Sequence, residues 1–150
     1  VPASEFYTGP LRHSFLTASA TEAAGIDAGA AGPGWWRTGA VIPAFLPLAA
    51  DTLAGLPQAA RPLCRFYGTP GAGPNSHFYT ISEAECAKVR QDPGWSFEHY
   101  AFAASPGLVI DGEAGCAEGL QPVWRLYNNR FAQNDSNHRY TTSESTRREM

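Results

Sequence analysis

The sequence predicts a β-rich α+β domain built from three pseudo-equivalent units of about 60 residues, in an approximate threefold, β-trefoil-like arrangement whose third unit is incomplete. Three observations lead there. The triplet Glu5-Phe6-Tyr7 returns as Arg65-Phe66-Tyr67 and as Arg125-Leu126-Tyr127, each time 60 residues on. A second motif follows each triplet: His13-Ser14-Phe15-Leu16-Thr17, then His77-Phe78-Tyr79-Thr80, then His138-Arg139-Tyr140-Thr141. Finally, 15 Gly and 12 Pro among 150 residues, with only 17% charged, describe a chain rich in turns and strands. The whole span 1–150 has the size of one domain. It divides into units 1–48, 62–104 and a partial 120–150, joined by low-complexity connectors at 49–61 and 105–119.

Each unit reads as strand, strand, helix, strand. The aromatic triplets are short strands, and the His/Tyr/Thr motifs are their partners. Aligned on the threonines, Ser14 takes the place of His77 and His138, so His13 is one residue out of register and turns to the other face. Ser19 with Glu22, and Ser82 with Glu85, fit a capping box at a helix start, whereas Ser143 with Thr146 keeps only the cap. Ile26, Val89 and Met150 fall at matching helix positions. The closing strands begin at Gly34-Trp35 and Gly94-Trp95; the third is expected just past Met150, so the third unit lacks its last quarter. The expected core comprises Phe6, Phe15, Ile26, Trp35, Phe66, Phe78, Val89, Trp95, Phe102, Leu126 and Met150. Trp36 and Trp124 are the tryptophans expected nearer the surface.

Composition excludes several classes. A net charge of −3 with a single lysine, Lys88, builds no basic face for nucleic acid. The most apolar stretch, 40–56, is interrupted by Pro43, Pro47 and Asp51 and is too short to span a membrane. A start at Val1 rather than Met is what a mature protein or an excised fragment shows, and a removed signal peptide with secretion is the expectation. Cys64, Cys86 and Cys116 allow one disulfide and one remaining thiol; Cys86–Cys116 is the expected bridge, leaving Cys64 for a cysteine beyond Met150. No cysteine pair has zinc-ligand spacing, and the run Asn128-Asn129 to Asn134-Asp135-Ser136-Asn137 reads as a turn rather than a calcium loop, so no metal or other cofactor is expected. Nucleophile elbows, HExxH helices and phosphate loops are missing from the sequence, and Glu83 and Glu85 lie where a helix start already accounts for them; the chain is read as non-catalytic.

The order Arg-Phe-Tyr, His-Phe-Tyr-Thr-x-Ser-x-x-Glu, Gly-Trp-x-x-Glu resembles a repeat family of secreted bacterial and fungal proteins whose function is not established. The likeness is fullest in the second unit (Arg65, Tyr67, His77, Phe78, Tyr79, Thr80, Glu85, Trp95, Glu98) and good in the third (Arg125, Tyr127, Asn128, His138, Tyr140, Thr141). The first unit departs, with Glu5 for arginine and Thr38 for the late glutamate, and His99 stands where the family prefers glycine. The three cysteines also fall where cysteine-bearing members have theirs. Members sit beside cell-wall hydrolases, peptidases and adhesive regions, which implies a glycan-binding accessory role.

The residues themselves support two readings. Sugars offer hydroxyls and apolar C–H faces, so a sugar site combines an aromatic platform with hydrogen-bonding side chains. Arg65, Tyr67, His77, Tyr79, Trp95 and Glu98 could supply one in the second unit, and Arg125, Tyr127, His138 and Tyr140 another in the third. Weak sites repeated on one body would give avidity for a glycan or cell-wall polysaccharide. Alternatively the motif is internal glue, with Arg65 paired to Glu85 or Glu98, in a protein-interaction or spacer module next to a neighbouring domain of a secreted enzyme. Burial of His77, Tyr79, His138 and Tyr140 would favour that alternative.

Overall fold

In the computed structural model, residues 1–45 and 60–149 are described. Met150 and most of the 49–61 connector therefore lie outside the described residues. The first unit contains β1 (Pro2–Thr8), β2 (His13–Thr17), α1 (Ala20–Asp27) and β3 (Trp35–Pro43). β1 is the central strand, antiparallel to β2 on one side and β3 on the other. The second unit repeats this order with β4 (Arg61–Gly68), β5 (His77–Thr80), α2 (Glu83–Val89) and β6 (Trp95–Ala104), again with the first strand in the middle.

The 105–119 connector is more ordered than a plain joint: β7 (Leu108–Ile110) and β8 (Glu113–Gly115) form a hairpin. Its turn places Asp111 and Gly112 at φ 52° and 84°, the pair of left-handed residues that a tight two-residue hairpin requires. β9 (Trp124–Tyr127), β10 (His138–Thr141) and α3 (Glu144–Glu149) make up the third unit. The fold is thus β-rich with three short helices and small antiparallel sheets. Among the described residues these sheets stay separate and close no barrel.

Two apolar clusters lie inside units and one between them. Phe6 meets Phe15, Ala23 and Ile26 beneath α1, with Trp35 packed against them. Phe66 and Phe78 meet Cys64 and Cys86 beneath α2, flanked by Val89 and Trp95. Burying each such phenylalanine contributes about 2–3 kcal/mol. The third cluster draws Ala3, Leu16 and Ile42 from the first unit, Tyr79, Ala101 and Phe102 from the second, and Tyr140 from the third. Leu126, expected in the core, is only half-buried.

The disulfide corrects the expected pairing. Cys64 is bonded to Cys86, with Cα atoms 6.1 Å apart, and Cys116 is a free, half-buried thiol just past β8. Cys64 and Cys86 are both buried in the second unit's cluster, one on the central strand and one on the inward side of α2. The matching pair in the first unit is Ser4 and Ala23.

The helix starts also differ from the expected capping box. Ser19, Ser82 and Ser143 each accept the backbone N–H three residues on, as an N-cap should. The caps' own N–H groups, however, donate to the hydroxyls of Thr17, Thr80 and Thr141. A threonine two residues upstream thereby does the work assigned to the glutamate, and frees Glu22 and Glu85 to reach the neighbouring unit.

Candidate functional site

The candidate site arises where units meet, and all three pairs of units touch. Between the first and second, the Arg65 guanidinium lies over the Phe15 ring at 5.1 Å and donates to Glu22 at 2.9 Å. Between the second and third, Arg125 lies over Phe78 at 5.3 Å and donates twice to Glu85, at 2.7 and 3.1 Å. Between the third and first the chemistry is reversed. Glu5, at the arginine position, accepts from Arg139 at 2.9 Å, and Arg139 stands where Phe15 and Phe78 stand. Thr38, at the position of Glu98, donates to Glu5 at 2.7 Å.

Tyrosines tie the same seams deeper down. The Tyr79 hydroxyl accepts from Leu16 N–H at 3.0 Å and donates to Leu16 C=O at 2.9 Å. Tyr140 does the same to the backbone of Tyr79, at 2.8 and 2.7 Å. Each hydroxyl satisfies the outward groups of an edge strand that would otherwise be buried without partners. Leu16 holds the equivalent place in the first unit and has no hydroxyl to offer.

The seam between the first and second units opens into a cleft of about 350 Å³. Phe15, Ile26 and Trp35 supply apolar wall, with Gly25, Ala30 and Ala31 at its rim. Glu22, Arg65, His77 and Glu98 supply the polar side. Arg65 is the keystone: its Nε donates to Glu98 at 2.8 Å while Nη1 reaches Glu22 across the seam. His77 Nε2 lies 3.4 Å from the same Glu98 oxygen, and the imidazole packs edge-on to Phe15 with centroids 4.7 Å apart.

The charges in the cleft are set by these contacts. Glu98 is held below the usual carboxylate range: burial opposes ionisation, but the bond from His77 and the charge of Arg65 outweigh it. Glu22 is lowered in the same way, burial being overcome by bonds from Arg65 and Thr17. In the second-to-third seam, burial and then the charge of Arg125 push His138 down to about 4, Glu85 opposing. His138 Nδ1 is buried without a hydrogen-bond partner among the described residues, and the ring is stacked on Tyr127 and set against Phe78.

The expected site residues separate into groups. Arg65, His77 and Glu98 converge on the cleft. Tyr79 and Tyr140, expected at a ligand surface, are buried in the shared core because their hydroxyls serve neighbouring backbone. Trp95 packs on Phe78 in the second unit's own core. Tyr67 bonds Asn75 and packs on His77, and Tyr127 is exposed beside His138. Arg125 and His138 belong to the second-to-third seam, apart from the cleft. The asparagine run is a turn: the Asn128 side chain accepts from Asn137 N–H and donates to Asp135 C=O.

Sequence reasoning missed the first unit's contribution, namely Phe15, Glu22, Gly25, Ile26 and Trp35. A signal was present. The stretch between Ile26 and Trp35 is three residues longer than that between Val89 and Trp95, and the extra length carries Ala30 and Ala31 at the rim.

Among the described residues, no helix is long and apolar enough to cross a membrane. Residues 2–150 match the family described as Domain of unknown function (DUF5648). Comparison with curated proteins and with solved structures finds no match.

Proposed function

The chain belongs to the DUF5648 family, whose function is not established, and we propose that it is a non-catalytic carbohydrate-binding module of a secreted protein. The observation that carries this reading is the cleft between the first and second units. It brings apolar wall from Phe15, Ile26 and Trp35 together with hydrogen-bonding groups fixed in place by Arg65. A sugar ring needs that combination: a C–H face against apolar surface and hydroxyls against rigid polar groups. The Cys64–Cys86 disulfide supports an oxidising, extracellular setting. An approximate threefold arrangement of the units is supported by the three corresponding seams, without the closed barrel of a β-trefoil among the described residues.

A glycan array probed with the folded chain tests the reading. His77→Ala and Trp35→Ala should each weaken any hit by about tenfold, the scale of one lost hydrogen bond or stacking face. A folded sample that binds no glycan would refute it. The interaction or spacer reading is favoured by a different observation, the burial of Tyr79 and Tyr140 as seam pins. It predicts that His77→Ala changes stability and nothing else.

A further inference from the structure

We propose that this cleft selects ligands bearing a free primary ammonium, an amino sugar with an unacylated amine being the class that fits; the proposal rests on the carbohydrate-binding reading above. A ligand entering the cleft meets some of its charged atoms and not others. Arg65 has two carboxylate partners and its side chain is 6% exposed, whereas those of Glu22 and Glu98 are 31% and 30% exposed. The cation is therefore withdrawn behind its counter-ions, and the cleft presents acceptors. Glu22 and Glu98, both held ionised, share the Arg65 guanidinium, with His77 Nε2 3.4 Å from Glu98 as a further donor and His99 acting on Glu22, and it is the two carboxylates that lie nearer the solvent.

An ammonium offers three donors and a full positive charge to such a surface. A uronic acid or phosphate would encounter Glu22 and Glu98 before it could reach Arg65, and like charges brought together are penalised. Half-buried Trp35 remains available to the ring's C–H face, with buried Phe15 and Ile26 as the apolar wall behind it.

The test is calorimetric titration of the full chain with glucosamine oligomers, their N-acetylated counterparts of equal length, and a uronic acid oligomer, at mildly acidic pH. The aminated oligomer should bind at least about tenfold more tightly than the acetylated one, and the preference should shrink as salt rises. Glu22→Gln and Glu98→Gln should each reduce that preference to within about threefold. Gly25→Lys guards against loss of fold, because its Cβ would meet only Ala30 Cβ, at an ordinary 3.8 Å. By filling the cleft with its own ammonium it should abolish binding while the circular dichroism is unchanged. Equal binding of aminated and acetylated oligomers, or preference for the uronic acid, overturns the amine selectivity and leaves the carbohydrate reading standing. Full-strength binding to Gly25→Lys overturns the cleft as the place. Failure of every oligomer to bind overturns both.

Discussion

Tyr79→Phe removes one oxygen atom from the middle of the molecule, and the cost can be worked from what that atom touches. The hydroxyl makes two hydrogen bonds, to the N–H and the C=O of Leu16, and Tyr79 and Leu16 are each 1% exposed. No water can replace the lost oxygen without opening the seam. Each neutral bond contributes about 1 kcal/mol, and stranding a buried backbone group raises the loss to about 1–3 kcal/mol. Two stranded groups therefore give about 3 kcal/mol, with the ring's packing on Tyr140 retained. For a chain of this size that lowers the thermal midpoint by roughly 6–12 °C. Urea unfolding followed by circular dichroism, with the disulfide intact, measures it directly. Tyr140→Phe should cost a similar amount, because its hydroxyl does the same for Tyr79. A loss below about 0.5 kcal/mol for Tyr79→Phe would mean that the seam is wet or not formed, and the reasoning would be wrong.

Other perturbations test other features. Glu5→Arg should cost at least about 3 kcal/mol, since it faces Arg139 at a position 1% exposed; adding Arg139→Phe with Thr38→Glu and Thr146→Glu supplies the ring and both carboxylates of the first-to-second seam and should recover at least half, by urea titration. Reduction of Cys64–Cys86, which closes a sequence separation of 22, should lower stability by about 3 kcal/mol, whereas Cys116→Ser should only remove the titratable thiol. Stability should fall as the pH drops from 7 to 4. Unfolded His138 takes up a proton near 6.5 but the folded residue only near 4, so between those values protons favour the unfolded chain. The difference corresponds to about 3 kcal/mol, reduced to about 2 by partial solvent access, and His138→Gln should flatten that part of the curve. Below 4.5, protonation of Glu22, Glu85 and Glu98, whose folded values are depressed, removes their ion pairs and extends the loss.

Local features of the fold were legible where a residue's role is set by its own neighbours. The strand motifs, the three serine caps, and the inward Phe6, Phe15, Phe66 and Phe78 all follow from period and spacing. The Asp111-Gly112 hairpin was equally legible and lay in a stretch read as a joint. What the sequence could not disclose was which unit each side chain serves. Glu22 and Glu85 have the spacing of capping-box residues, yet Thr17 and Thr80 take that duty and the carboxylates cross the seam. Tyr79 and Tyr140 have the profile of surface sugar binders, and only the adjacent edge strands show why they are buried. The cleft follows the same logic, since most of its wall comes from the unit whose motif is least regular.

The reversed pair Glu5–Arg139 has a consequence for assembly order. With three identical arginine-over-aromatic joints, any unit would fit beside any other, and units of two molecules could trade places as readily as they join within one. One joint of opposite polarity turns interchangeable parts into an ordered set. The third unit's Arg139 finds its carboxylate only on the first unit's opening strand, and Arg65 or Arg125 brought to that place would meet another cation. The feature that makes the first unit the poorest copy in sequence is thus the one that tells each unit which neighbour to accept.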